Sequence, residues 1–195
     1  MTIQSELCKI CESDDISVDI LHDKIQELCY IFGCEDNNRS SPLGILRHKI
    51  KHLNPCDSKA LRELNAHPFF HKACLNKNVT LEVIRYLLDE FPGIEKVMWC
   101  YYSDEIYFHE DVSAGHPLHL CCYNQYCPTS VIEFMMKIYH PALNHYSSIQ
   151  FVDNFDIDWS EYYKICPLMY YLTRTSNLDI DVVKMLVEAC PQTLL

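Results

Sequence analysis

The twelve cysteines of this 195-residue chain are the residues best able to do chemistry. Cys8 and Cys11 have the two-residue spacing at which thiolates bind a tetrahedral zinc ion, and Cys29 and Cys34 could supply the remaining ligands. Cys29, however, lies within an amphipathic helical pattern, and four residues separate it from Cys34. We therefore expect core cysteines and no cofactor, and keep a small zinc-stabilised regulatory protein as the alternative function.

Several other cysteines fall on predicted helix faces or ends, where a thiol acts as a small hydrophobic group. These are Cys74, Cys121, Cys122 and Cys190. The first residues lack the basic and apolar regions of a signal peptide, so an intracellular, cytoplasmic location is expected. In that compartment the cysteines are expected to be free thiols.

The spacing of the histidines does not require a catalytic or metal-binding role. His48, His52 and Cys56 share a helix face if a helix from Pro42 extends that far, and we expect surface histidines there. The chain contains no Gly-rich phosphate loop, no Gly-x-Ser-x-Gly and no His-Glu-x-x-His motif, and no carboxylate is paired with a nucleophile. We therefore expect that the protein is not an enzyme and binds no metal.

One local pattern occurs three times along the chain. Phe69–Cys74 is followed by a similar segment at Pro117–Cys122 and by a more divergent one at Pro167–Leu172, with starts 48 and 50 residues apart. Shifting the chain by 48 residues superimposes His71 on His119, whereas the third copy has Met at that position. A fixed period of this length is typical of stacked repeats, in which each unit buries its apolar face against its neighbours.

Each copy predicts a pair of helices. Proline suits the first position of the short helices that begin at Pro117 and Pro167. The longer second helices are predicted to start at Thr80, Pro128 and Asp179, and each runs into an X-Pro step that disfavours helical geometry. A short helix, a tight turn and a longer amphipathic helix together form an αα-hairpin.

This unit resembles the ankyrin repeat, whose Thr-Pro-Leu-His-x-Ala pattern is visible at His116–Cys122 and, with Phe69 in place of the proline, around His71. The resemblance covers roughly residues 66–195. Two features depart from the family: the period is near 50 instead of about 33, and the chain has only four glycines. Long-loop ankyrin repeats of this kind are similar to expanded families of some unicellular algae. The resemblance implies a protein–protein interaction scaffold or adaptor in which the recurring histidines bond backbone in the turns.

The additional residues in each period predict two β-hairpins, because aromatic and β-branched residues flank a polar turn at 97–111 and again at 148–163. Together the two segments carry eight carboxylates and no Lys or Arg. We interpret them as acidic, aromatic fingers that contact a partner. The predicted partner-binding residues are Trp99, Tyr101, Tyr102, Asp104, Glu105, Tyr107, Phe108, Asp153, Phe155, Asp156, Asp158 and Trp159. Packing of these aromatics on the helices is the structural alternative.

The first 65 residues are predicted to form an acidic N-terminal tail and a helical cap for the repeats. Residues 1–15 are expected to be disordered, and helices are expected at 18–33, 42–53 and 57–65. Ankyrin-like repeats follow at about 66–114, 115–164 and 165–195. The apolar residues of the last helix predict an open side, covered by a partner, a second copy or further repeats, and we favour a truncated or divergent end over a dimer.

The composition narrows the class of partner. A formal charge of −11 opposes the phosphate neutralisation that nucleic-acid binding requires, so no nucleic acid is expected. No run of about 18 apolar residues exists, so no membrane partner is expected. The sequence therefore predicts an all-α, ankyrin-like stack with β-hairpin insertions and an N-terminal helical cap. Its expected partner is another protein, with a basic surface facing the acidic fingers.

Overall fold

Every element in the described part of the chain is helical, which confirms the all-α class for those residues. A computed structural model describes residues 2–32, 41–53, 68–97, 115–144, 166–174 and 178–191. The α-helices are α1 (Ile3–Glu12), α2 (Val18–Ile31), α3 (Pro42–Lys51), α4 (Phe69–Leu75), α5 (Leu81–Glu90), α6 (Pro117–Tyr123), α7 (Thr129–Ile138), α8 (Pro167–Arg174) and α9 (Ile180–Ala189). Short 3-10 helices follow α5 at Ile94–Lys96 and α7 at His140–Asn144. The two predicted hairpins lie almost wholly outside the described residues.

Local chemistry sets the ends of the longer helices. Thr80 caps α5 by accepting a hydrogen bond from the Val83 N–H at 3.3 Å, and Asp179 caps α9 by accepting one from the Asp181 N–H at 2.9 Å. Pro128 has the corresponding position before α7. All three predicted starts are therefore confirmed, and each helix ends just before the predicted X-Pro step.

The helices lie in two rows. In the first row α4 contacts α6 and α6 contacts α8, and in the second row α5 contacts α7 and α7 contacts α9. Within each pair the short helix packs on the longer one that follows it. Large buried side chains fill the space between the rows, among them Phe70, Ile84, Leu87, Leu118, Leu120, Ile132, Met135, Leu168 and Leu186.

Two further helices extend both rows at the N-terminal side, since α1 packs on α4 and α2 packs on α5. The prediction that residues 1–15 are disordered is therefore wrong. Thr2 and Ser5 form a reciprocal capping box that starts α1, with the Ser5 N–H donating to the Thr2 hydroxyl at 3.1 Å. Leu7 and Cys11 are fully buried, so tertiary packing stabilises a helix too short to persist alone.

The remaining N-terminal helices agree with the sequence where the structure describes them. α2 and α3 match the helices predicted at 18–33 and 42–53 to within the usual uncertainty of helix ends. The helix predicted at 57–65 lies outside the described residues. α3 contacts the end of α5, where Arg47 donates to the Glu90 carbonyl oxygen at 3.0 Å and its guanidinium pairs with the carboxylate of the same residue.

Gly93 permits this approach of α3. Its φ of +97° lies in the left-handed region, and a Cβ atom at this position would lie 3.3 Å from the carbonyl oxygen of Ile50. Any other residue would carry both the backbone strain and the close contact. Gly93 therefore sets how closely the turn after α5 packs on α3.

Candidate interaction surface

The twelve residues predicted to bind a partner lie within 98–114 and 145–165, outside the described residues. The structure neither brings them together nor separates them. It does describe the four positions at which these segments leave and rejoin the helices: Val97 and Gly115 for the first, Asn144 and Cys166 for the second.

A buried histidine holds the start of the first segment. The Nε2–H of His71, in α4, donates to the carbonyl oxygen of Val97 at 3.0 Å, and both side chains are buried. The carbonyl can only accept, which fixes the neutral tautomer of the ring. Burial lowers the pKa of His71 to about 4. The hydrogen bond to the Val97 backbone raises the pKa, but it offsets only part of the effect of burial. His71 is therefore neutral at physiological pH, and the predicted backbone-bonding role of this residue is confirmed.

The first segment returns at residues that are also buried. Gly115 and His116 precede α6 and are both buried. The His116 ring stacks edge-on against Tyr139 at a centroid distance of 5.1 Å, next to the 3-10 helix after α7. His119 lies one turn later in α6 with its ring fully buried, which places it among the structural histidines as well.

The second segment starts from a similar buried stem. Leu143 is buried in the 3-10 helix after α7, and the Cys190 thiol donates to its carbonyl oxygen at 3.3 Å. The same thiol lies 3.1 Å from the Asn144 amide oxygen. Cys166, where the segment rejoins the helices, is buried too. Both segments are therefore attached at both ends to the helical core.

Sequence reasoning missed the residues that set the spacing between helix pairs. The side-chain amide of Asn76 donates to the carbonyl oxygens of Cys11 at 2.9 Å and Ser13 at 2.7 Å. Asn124, 48 residues later, donates in the same way to Cys74 at 3.0 Å and Asn76 at 2.9 Å. The repetition of asparagine at the period of the pattern was the signal that could have identified them.

The asparagines also define an equivalence between helix pairs. Because Asn124 bonds Cys74 and Asn76 as Asn76 bonds Cys11 and Ser13, α1 has the same relation to α4 that α4 has to α6. Each amide oxygen accepts from the backbone N–H two residues later, at 2.8 Å for Asn76 and 3.0 Å for Asn124. The two side chains thus close a local turn and join it to the preceding pair.

The thiols behave as core groups, as predicted for Cys74, Cys121, Cys122 and Cys190, which are all buried. Cys127 and Cys74 hydrogen-bond with Cys121, and these two hydrogen bonds lower the pKa of the Cys121 thiol, while its burial acts in the opposite direction. The pKa of Cys127 is raised by the same bond and by burial, and that of Cys74 by burial and then by its bond. The nine cysteines that the structure describes form no disulfide with one another.

The proposed zinc ligands differ in their surroundings. Cys11 is fully buried in α1 and Cys8 is half-buried, and burial raises the pKa of both thiols, which opposes the thiolate form that zinc requires. Cys29 packs partly against the core, while Cys34 and Cys56 lie outside the described residues. Among the residues that are described, no group of three or more His, Cys, Asp or Glu could hold a metal ion.

No family model, no curated protein and no solved structure matches the chain. None of the helices in the described ranges is both long and apolar enough to cross a membrane.

Proposed function

We propose that this protein is an interaction scaffold or adaptor. Its helix pairs form an ankyrin-like stack, and the segments 97–111 and 148–163 form acidic, aromatic hairpin fingers that bind a partner protein together with the helical face beside them. Arrays of helix pairs offer extended surfaces of this kind. The proposed partner carries a basic surface, because residues 97–111 and 148–163 together contain eight carboxylates and neither Lys nor Arg.

The observation that supports this proposal best is the anchoring of both segments. Val97 and Gly115, at the ends of the first, are buried. At the second, Cys166 is buried, and Asn144 is exposed but follows the buried Leu143. A binding segment whose ends are fixed loses less conformational entropy when it engages a partner than one attached to a mobile chain. Attachment to two successive helix pairs also favours joint contact with one partner.

The described residues favour binding over catalysis. The His71 ring and the side-chain amides of Asn76 and Asn124 donate to backbone carbonyl oxygens, so these buried groups serve the helical core. The cavity between α1, α3 and α4 has a volume of about 10 Å³, enough for a single water molecule. Pockets that bind small molecules usually measure about 300 to 1,000 Å³. We therefore propose no enzymatic role.

The proposal is tested by capture of partners from a cell lysate with mass-spectrometric identification. The test variant combines Asp104→Lys, Glu105→Lys, Asp156→Lys and Asp158→Lys. A matched control combines Asp15→Lys, Asp23→Lys, Asp89→Lys and Glu188→Lys, which changes the net charge equally at exposed positions on the helical part. Circular dichroism first establishes that both variants keep the helical content of the wild type.

We expect a partner that the wild type and the control retain and the test variant loses, because lysines reverse the field that attracts a basic surface. The affinity for the isolated partner should then fall at least about tenfold, and increasing salt should weaken the wild-type complex. Equal loss in the control and test variants would show a general charge effect. Unchanged binding in the test variant would remove the fingers from the binding site.

A further inference from the structure

Exposed apolar side chains cluster on the last described helix pair. Nine large hydrophobic residues in the described ranges are exposed, and four of them lie between positions 169 and 180. They are Met169, Leu172, Leu178 and Ile180. We call the side of this pair that carries Leu172 and Ile180 the α8–α9 face. Such a concentration of exposed apolar groups is typical of an interaction site, whereas single exposed hydrophobics are ordinary.

The position of Leu172 shows what kind of contact this face is built for. α8 begins at Pro167 as α6 begins at Pro117, so Leu172 corresponds to Cys122, and Cys122 in turn corresponds to Cys74. Both cysteines are fully buried, because α6 packs on α4 and α8 packs on α6. Leu172 is 40% exposed, so no described helix covers the side of α8 that is covered in α4 and α6. The face therefore continues the interface between successive helix pairs.

At the opposite end of the rows, the outer side of α1 is charged. Lys72 reaches from α4 back to Glu12 on α1 at 2.7 Å, and the asparagine contacts make Lys9 the residue of α1 equivalent to Lys72. Lys9 therefore points away from α4. Its ammonium nitrogen lies 2.7 Å from a carboxylate oxygen of Glu6. Placing this charged side on the α8–α9 face of another copy would remove Lys9 from water against aliphatic groups. Head-to-tail association of copies is thus disfavoured.

We propose that the α8–α9 face is a self-association surface, on which the same face of a second copy docks about a two-fold axis. An apolar patch is self-complementary under such an axis, and closed two-fold dimers are the commonest oligomers. The contact buries Leu172 and Ile180 of both copies, as the next helix pair buries Cys74 and Cys122. The sequence pattern favoured a truncated or divergent end at this place. The charge on α1 and the exposed cluster favour a dimer instead. The inference rests on helix packing and is independent of the finger proposal.

Sedimentation equilibrium of the full chain, at concentrations from about 1 to 100 µM, tests the proposal. The wild type is expected to reach twice the monomer mass of 22.9 kDa. A variant with Leu172→Lys and Ile180→Lys should stay monomeric, with a dissociation constant raised at least about 100-fold, because like charges would face each other across the axis. The control Tyr30→Lys with Ile31→Lys changes two exposed apolar residues at the end of α2 and should dimerise as the wild type does.

A mixing experiment identifies the symmetry of the contact. Leu172→Glu with Ile180→Glu should also be monomeric, and mixing it with the lysine variant should restore the dimer mass, because opposite charges then face each other. A monomeric wild type at every concentration, or a dimer that the lysine variant retains, would overturn the proposal. Failure of the mixture to dimerise would overturn the two-fold arrangement. Lysine and glutamate variants that recover each other are necessarily folded, so loss of structure cannot mimic the expected result.

Discussion

His71 shows how one buried side chain connects the sequence pattern to the candidate surface. Its imidazole, which α4 carries, is buried. The one N–H of the neutral ring donates a hydrogen bond to the carbonyl oxygen of Val97, where the first predicted finger begins. Burial keeps the ring neutral and lowers its pKa to about 4, whereas the same residue in the unfolded chain titrates near 6.5. Folding therefore disfavours protonation of His71.

We expect the free energy of unfolding to decrease as the pH falls from 6.5 to 5, by about 1.5 kcal/mol from His71 alone. The sign follows because the folded-state pKa is depressed, so the unfolded state binds the proton first. Glu6 and Asp179 also have lowered pKa values, through a hydrogen bond from Lys9 and one from the Asp181 N–H respectively, but their contribution is lost at lower pH. Urea unfolding of the wild type and of His71→Gln, which keeps a donor but cannot ionise, measures the effect. An equal pH slope in both proteins would contradict it.

At the scale of elements, the two asparagines fix the register between helix pairs. Asn76 and Asn124 each bind two carbonyl oxygens at the end of the preceding short helix, and both are almost fully buried. Helix packing alone would allow neighbouring pairs to slide, since apolar contacts are non-directional. The directional amide contacts select one position, and they do so at both interfaces between α1, α4 and α6.

Asn124→Asp should destabilise the protein by about 3 kcal/mol or more, because an isosteric carboxylate would face two buried carbonyl oxygens without a proton to donate. Asn78→Asp is the matched control, since Asn78 also donates to the preceding pair, at 2.7 Å to the Asp14 carbonyl oxygen, but is exposed. Its cost should stay below about 1 kcal/mol. Chemical denaturation compares the two variants, and equal costs would remove Asn124 from its role in the register.

For the whole molecule, the decisive finding is that α1 belongs to the core. Leu7 and Cys11 are fully buried against α4, and Lys72 and Asn76 of the next helix pair reach back to α1 and its end. The N-terminal segment therefore covers the apolar side of α4 and gives that end of the rows a charged outer surface. The α8–α9 face has no such cover among the described helices.

Leu7→Ala should lower the free energy of unfolding by about 2 to 5 kcal/mol, the range for truncating a fully buried leucine. Lys9→Ala, two residues later on the exposed side of the same helix, removes only the ion pair with Glu6 and should cost less than about 1 kcal/mol. Thermal or urea unfolding monitored by circular dichroism provides the measurement. If both variants matched the wild type, α1 would not be part of the cooperative unit.

The amino-acid sequence by itself determined the all-helical class, the starts and ends of the longer helices and the period of the pattern. These features depend on neighbours along the chain: Thr80 and Asp179 bond N–H groups within three residues, and an X-Pro step disrupts a helix locally. The inward-facing cysteines followed from the same helical periodicity. The β-hairpin fingers and the ankyrin-like stack are predictions that rest on the sequence.

Only the tertiary structure decided that residues 3–12 form a helix, that Asn76 and Asn124 join successive pairs, and that Gly93 receives the backbone of α3. The physical reason is the separation of the groups involved. The capping box of Thr2 and Ser5 is too weak to hold ten residues helical in water without the contact with α4, which lies some sixty residues away. Likewise, an asparagine in a turn becomes a buried donor only when another helix pair presents its carbonyl oxygens.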